Sequence, residues 1–177
     1  MKFFLPTVLL VAGVLGPQTL ALAAAPHQHG VATLDVAVEA GRVTLYLESP
    51  LDNLLGFERA PRTDAERAQA EKMLAKLRAA DTLFRIDSAA GCLLAKVTLT
   101  SPVLGQGTAA ATAKDSHADL DGRFEFTCKA GQRAGFVEVG LFEAFVSLKR
   151  IELQVATPKG QLKATLARPA SRVNLVR

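Results

Sequence analysis

Apolar and polar positions alternate in step along most of this chain. Ala32, Leu34, Val36 and Val38 alternate with Thr33, Asp35, Ala37 and Glu39. After Ala40-Gly41, Val43, Leu45 and Leu47 alternate with Thr44, Tyr46 and Glu48. A period of two broken by a glycine-containing turn predicts a β-hairpin. The same period puts Leu93, Ala95, Val97 and Leu99 on one face of a further strand, and Phe124, Phe126 and Cys128 on one face of the next. Val137, Val139 and Leu141 suggest another. Ile151, Leu153 and Val155 alternate with Glu152 and Gln154; after the Pro158-Lys159-Gly160 turn, Leu162, Ala164 and Leu166 continue, and Val173–Val176 is a short last strand. One wet face per strand favours antiparallel pairing.

One segment changes period. Thr63 is the expected N-cap and Glu66 completes a capping box. Ala70, Met73, Leu74 and Leu77 then fall on one helical face, which predicts a helix over about 63–80. Leu141, Phe142, Phe145 and Leu148 suggest a second, short helix over about 141–149. Ser101 to Ser116, rich in Gly, Ala and Thr, reads as a loop. The fold class is α+β, a single domain dominated by antiparallel β-sheet.

The first residues do not belong to that domain. Lys2 precedes an apolar run from Phe3 to Leu15, Gly16-Pro17 breaks it, and Ala21-Leu22-Ala23 fits a secretory cleavage site. The apolar core is shorter than the roughly 20 residues of a membrane span. Residues 1–23 are thus expected to be a signal peptide. The domain is 24–177, in a periplasmic location with no membrane anchor after cleavage.

Export alters the meaning of the composition. The 177 residues hold two cysteines, three histidines and no tryptophan, with a formal net charge of +4. An oxidising compartment makes Cys92 and Cys128 candidates for a disulfide; two buried thiols are the alternative. Their parities conflict. Cys128 shares the side of Phe124 and Phe126, whereas Cys92 falls opposite Leu93 and Val97, unless an irregular residue near Gly91 intervenes. The basic residues are scattered without an arginine stripe, so nucleic acid is not an expected partner. No nucleophile elbow, phosphate-cradling glycine loop or HExxH pattern occurs, which leaves no support for an enzyme.

The three histidines sit at strand entries. His27 and His29 precede the first strand, and His117 precedes the strand of Phe124. If those strands extend outward, the spacing puts His27 and His29 on the polar side, and His117 with Asp119 and Asp121 on the polar side of theirs. Imidazole and carboxylate are zinc ligands, and a tetrahedral site needs about four. Asp52-Asn53 and Gly56 read first as turn residues. Asp119 and Asp121 also suit a turn before Gly122, and Glu58 suits an ion pair with Arg59 or Arg62.

Several runs recur in a recognisable order. They are His27-Gln28-His29-Gly30-Val31-Ala32-Thr33-Leu34-Asp35, then Glu48-Ser49-Pro50-Leu51-Asp52-Asn53-Leu54-Leu55-Gly56-Phe57-Glu58-Arg59-Ala60-Pro61, then Ala90-Gly91-Cys92. His117-Ala118-Asp119-Leu120 leading to Phe124-Glu125-Phe126-Thr127-Cys128, and Leu141-Phe142-Glu143-Ala144-Phe145, follow. Over nearly the whole mature chain the sequence resembles the ZrgA-like family of periplasmic zinc-binding proteins. The resemblance implies zinc binding and help in zinc acquisition, beside the binding protein of a zinc ABC importer. It maps metal ligation onto His27, His29 and His117, with Glu58 or Asp119 as a further ligand. Two departures stand out. Arg59 occupies a position where many relatives have histidine, and arginine offers zinc no lone pair. The Ser101–Ser116 loop has no histidine and one carboxylate, Asp115, where relatives often carry a His- and Asp-rich stretch. Both imply fewer or weaker zinc sites than a typical member holds, and three histidines limit the chain to about one. The alternative function is a metal-free periplasmic protein-interaction module that docks a partner on its wet sheet face.

Overall fold

A computed structural model describes residues 28–107 and 118–175. The expected signal peptide, His27 and His117 lie outside the described residues. The hairpin forms where the alternation places it, as β1 (Val31–Glu39) and β2 (Arg42–Pro50). Glu39 faces Arg42 across the Ala40-Gly41 turn. Four further strands join them: β4 (Cys92–Thr100), β5 (Asp119–Cys128), β7 (Arg150–Thr157) and β8 (Gly160–Ala167). They make one sheet in the order β4-β5-β2-β1-β7-β8. A smaller sheet of β3 (Phe84–Ile86), β6 (Phe136–Val139) and β9 (Arg172–Asn174) has the order β3-β6-β9.

The residues assigned inward by alternation form the core. Leu34, Val36, Leu45, Leu47, Phe124, Ile151 and Leu153 are buried. Burying each large side chain contributes about 1.5–3 kcal/mol. Phe84 of β3 meets Phe124 of β5 with ring centroids 4.9 Å apart, which joins the two sheets. Among the described residues four α-helices complete the fold: α1 (Leu51–Leu55), α2 (Asp64–Arg78), α3 (Ala80–Leu83) and α4 (Leu141–Ala144). Thr63 caps α2 as expected, its hydroxyl accepting the Glu66 N–H at 3.1 Å. Ala70, Met73, Leu74 and Leu77 are the buried face of α2. Among the described residues no helix is long and apolar enough to cross a membrane.

The structure corrects four local expectations. The cysteine parities are reconciled at Ala95, not at Gly91: the β4–β5 register shifts between Leu94 and Lys96, which is a β-bulge. Before the bulge, Cys92 and Leu94 face Cys128 and Phe126; after it, Val97 and Leu99 face Phe124 and Gly122. Leu93, expected inside, is therefore 75% exposed, and Cys92 and Cys128 are disulfide-bonded. Second, β1 pairs with β7 in parallel. Alternation reports a wet face, and a mixed sheet keeps one too. Third, the second helix is one turn, Leu141–Ala144, although Leu141, Phe142, Phe145 and Leu148 are all buried. Fourth, Asp119 and Asp121 lie within β5 and shape no turn. Gly122 serves packing instead: a Cβ there would stand 2.7 Å from Phe124 Cζ.

Candidate metal centre

The site is built where the chain enters β1. A turn precedes the strand, with the Val31 N–H donating to the Gln28 carbonyl at 3.1 Å. Gly30 takes φ +82°, a left-handed conformation, and a Cβ on it would press to 3.1 Å from Lys149 Cδ. Glycine is required there on both counts. The turn also means that β1 does not extend outward to His29, so the sequence-based parity argument fails at that residue. His29 reaches its partners from the turn.

Those partners come from the run after β2. Pro50 ends that strand, α1 follows at once, and Gly56 closes it at φ 78°. Asp52 lies in the first turn of α1, and Glu58 in the irregular segment beyond it. His29 stands between the two. Its Nδ1 lies 3.4 Å from Asp52 Oδ2, and its Nε2 lies 3.1 Å from Glu58 Oε1. The carboxylate side chains are about 30% exposed, while His29 is 67% exposed. The cluster is therefore open to an arriving ion.

Asn53 fixes this geometry. It is 1% exposed, and its Oδ1 accepts the Gly30 N–H at 2.5 Å. Its Nδ2 donates to the Val31 carbonyl at 2.7 Å and to Ser49 Oγ at 3.2 Å. The Gly30 carbonyl in turn accepts the N–H groups of Lys149 and Arg150, at 2.8 and 2.9 Å. The backbone next to His29 is thus tied both to α1 and to the start of β7.

Glu58 stands apart from the neighbouring arginines. It does not pair with Arg59 or Arg62, as its sequence context suggested; it faces His29. Arg59 makes a two-pronged contact with Glu66 of α2, at 2.9 and 2.7 Å, and lies 4.8 Å from the Phe57 ring centroid. The Arg62 N–H also donates to Glu66, at 2.6 Å. The Arg59 guanidinium first, and the Arg62 N–H after it, hold the Glu66 carboxyl down at about 2. A carboxylate depressed on folding stabilises the fold above its ordinary value near 4.5. That contribution is lost as pH falls from there through about 2. The melting temperature of Arg59→Met should therefore lie below that of the native chain at pH 7 and converge on it near pH 2. Thermal melts across that range test this, and a constant gap would contradict it.

The other sequence candidates take different places. Asp119 opens β5 opposite Pro50, and its carbonyl accepts from Ser101 Oγ at 2.7 Å. Ala118, just before it, accepts the Leu51 N–H at 2.8 Å. The strand whose sequence entry carries His117 therefore begins beside the helix that carries Asp52. Of the five candidate ligands, the structure brings together His29 and Glu58. It adds Asp52 and Asn53, which the sequence reading took first as turn residues. No helical period marks them, because α1 is five residues long and Asn53 is buried beside Leu51 and Leu55.

Among the described residues no group of three or more His, Cys, Asp or Glu side chains is assembled as a metal cage. The pair that is assembled fits a zinc ion. Two ligands about 2.0–2.2 Å from a tetrahedral zinc stand about 3.3–3.5 Å apart. His29 Nε2 and Glu58 Oε1 are within a few tenths of an ångström of that spacing. Asp52 lies 3.4 Å behind Nδ1, on the side where many zinc–histidine sites place an orienting carboxylate.

A family described as ZrgA family zinc uptake protein has a model that matches residues 26–175. Among curated proteins no match is found.

Proposed function

The chain belongs to the ZrgA family of zinc uptake proteins, and from that membership we propose that it is a periplasmic protein that binds zinc reversibly and passes it on. The observation that carries this reading is the convergence of His29 Nε2 and Glu58 Oε1 at 3.1 Å with Asp52 behind the ring. His29 and Glu58 are two ligands of one ion. His27 and His117 supply the other two by their place in the sequence, with Asp119 at the neighbouring strand end as the alternative carboxylate. Arg59 cannot replace a histidine ligand, and its engagement with Glu66 supports a limit of about one ion per chain. Exposure of His29 suits cargo that must leave again. The receiver is the binding protein of a zinc importer, and the role involves no bond chemistry.

Competition titration of residues 24–177 against a zinc indicator tests the reading. The native chain should take up about one ion. His29→Ala and Glu58→Gln should each weaken binding at least about tenfold, and Asp52→Asn by about 10-fold or more. Retained native affinity in both His29→Ala and Glu58→Gln would remove the site and leave the metal-free docking module.

A further inference from the structure

A groove of about 330 Å³ lies between α1, α2 and the turn after α4, and its lining includes Asn53, the residue after Asp52. Leu54, Leu55, Phe145 and Val146 line it with Lys72 and Lys76. Val146 is 84% exposed, the most exposed large apolar side chain among the described residues. An isolated exposed valine is unremarkable, but one on the rim of a groove offers an anchor. Lys72 and Lys76 are four residues apart on α2 and so share a side. Lys76 Nζ donates to the Ala144 carbonyl at 3.4 Å and lies 5.9 Å from the Phe145 ring centroid. Among the described residues neither lysine is ion-paired with a carboxylate, and no Asp or Glu lines the groove.

The geometry points to an acidic segment of a partner protein, carrying an apolar anchor residue, as the occupant of this groove. Charge complementarity sets the sign: two uncompensated ammonium groups over an apolar floor select carboxylates joined to a hydrophobic side chain. Position sets the purpose. Leu54 and Leu55 lie on the same five-residue helix as Asp52. A segment seated here brings its own carboxylates, which are zinc ligands themselves, beside His29 and Glu58. This purpose rests on the zinc-transfer reading above, whereas the docking chemistry does not.

The probe is a fluorescein-labelled synthetic decapeptide of glutamates with two leucines, followed by anisotropy at low and physiological salt. It should bind the native chain and weaken with salt. Lys72→Glu/Lys76→Glu should bind it at least about tenfold more weakly, and Val146→Ser severalfold more weakly. All three substitutions are at exposed positions; because Lys76 lies in the last turn of α2 and touches Ala144, Lys72→Gln/Lys76→Gln is measured beside the glutamate pair and should also bind the peptide severalfold more weakly. Lys159→Glu/Lys163→Glu, an equal charge change on the β7–β8 hairpin, should keep native binding. The groove is refuted if the two double variants lose binding equally, or if the glutamine version of the peptide binds as well. Binding of phosphatidylglycerol vesicles through Lys72 and Lys76, with none of the peptide, would likewise refute it in favour of a membrane surface. Zinc titration of the same proteins separates the two readings. Lys72→Glu/Lys76→Glu should keep native zinc affinity, and a chain that binds no zinc yet shows this peptide pattern would sink the zinc site alone.

Discussion

Asn53→Ala is expected to lower folding stability by about 2–4 kcal/mol and to weaken zinc binding beyond what lost stability explains. The side chain is buried and satisfies the Gly30 N–H and the Val31 carbonyl on either side of one peptide unit. Alanine leaves both groups without that partner, and each buried unsatisfied group costs about 1–3 kcal/mol. The loss falls beside His29, whose turn keeps the Val31 N–H bond to the Gln28 carbonyl and, on its far side, the Lys149 and Arg150 N–H groups. Urea unfolding followed by zinc titration under native conditions separates the two effects. Asp52→Asn provides the contrast, since Asp52 is partly exposed and makes no such backbone clamp. It should weaken zinc binding with little change in stability. An Asn53→Ala protein as stable as the native chain would show that the clamp is dispensable.

Removing the disulfide is expected to cost about 3–4 kcal/mol. Cys92 and Cys128 are 36 residues apart and directly opposed in the β4–β5 pair. The cross-link restricts the unfolded chain over that whole separation, and chain entropy sets the size of the effect. Cys128 faces the core and is 7% exposed, so a Cys92→Ala/Cys128→Ala pair avoids burying new hydroxyls. The urea midpoint of that variant should fall well below that of the oxidised native chain, and reduction of the native chain should reproduce the shift. Intact mass should show the oxidised chain lighter than the reduced one by two hydrogen atoms. A stability loss under about 1 kcal/mol would mean that the unfolded chain is compact without the bridge.

How far the sequence carries can be traced residue by residue. The hairpin, α2 and the faces of β5 and β7 follow from period alone, because each buries a single side or stripe. The family resemblance rests on runs that include both the His29 turn and the Glu58 segment. Three features escaped that reasoning. The bulge at Ala95 has no local sequence signal; it satisfies two demands at once, a disulfide at one end of β4 and inward Val97 and Leu99 at the other. The parallel β1–β7 pair is a choice of topology, to which alternation is blind. Asp52 and Asn53 read as turn formers because Asp and Asn favour turns. Their α1 is only five residues long, too short for a helical period to appear. What made the site was the meeting of two segments more than twenty residues apart, and only the fold records that.

The most direct test is diffraction at the zinc absorption edge from crystals of residues 24–177 grown with equimolar zinc. One anomalous peak should appear, within about 2.0–2.2 Å of both His29 Nε2 and Glu58 Oε1. A peak coordinated elsewhere, without His29, or no peak at all under conditions where zinc is bound in solution, would contradict the assignment.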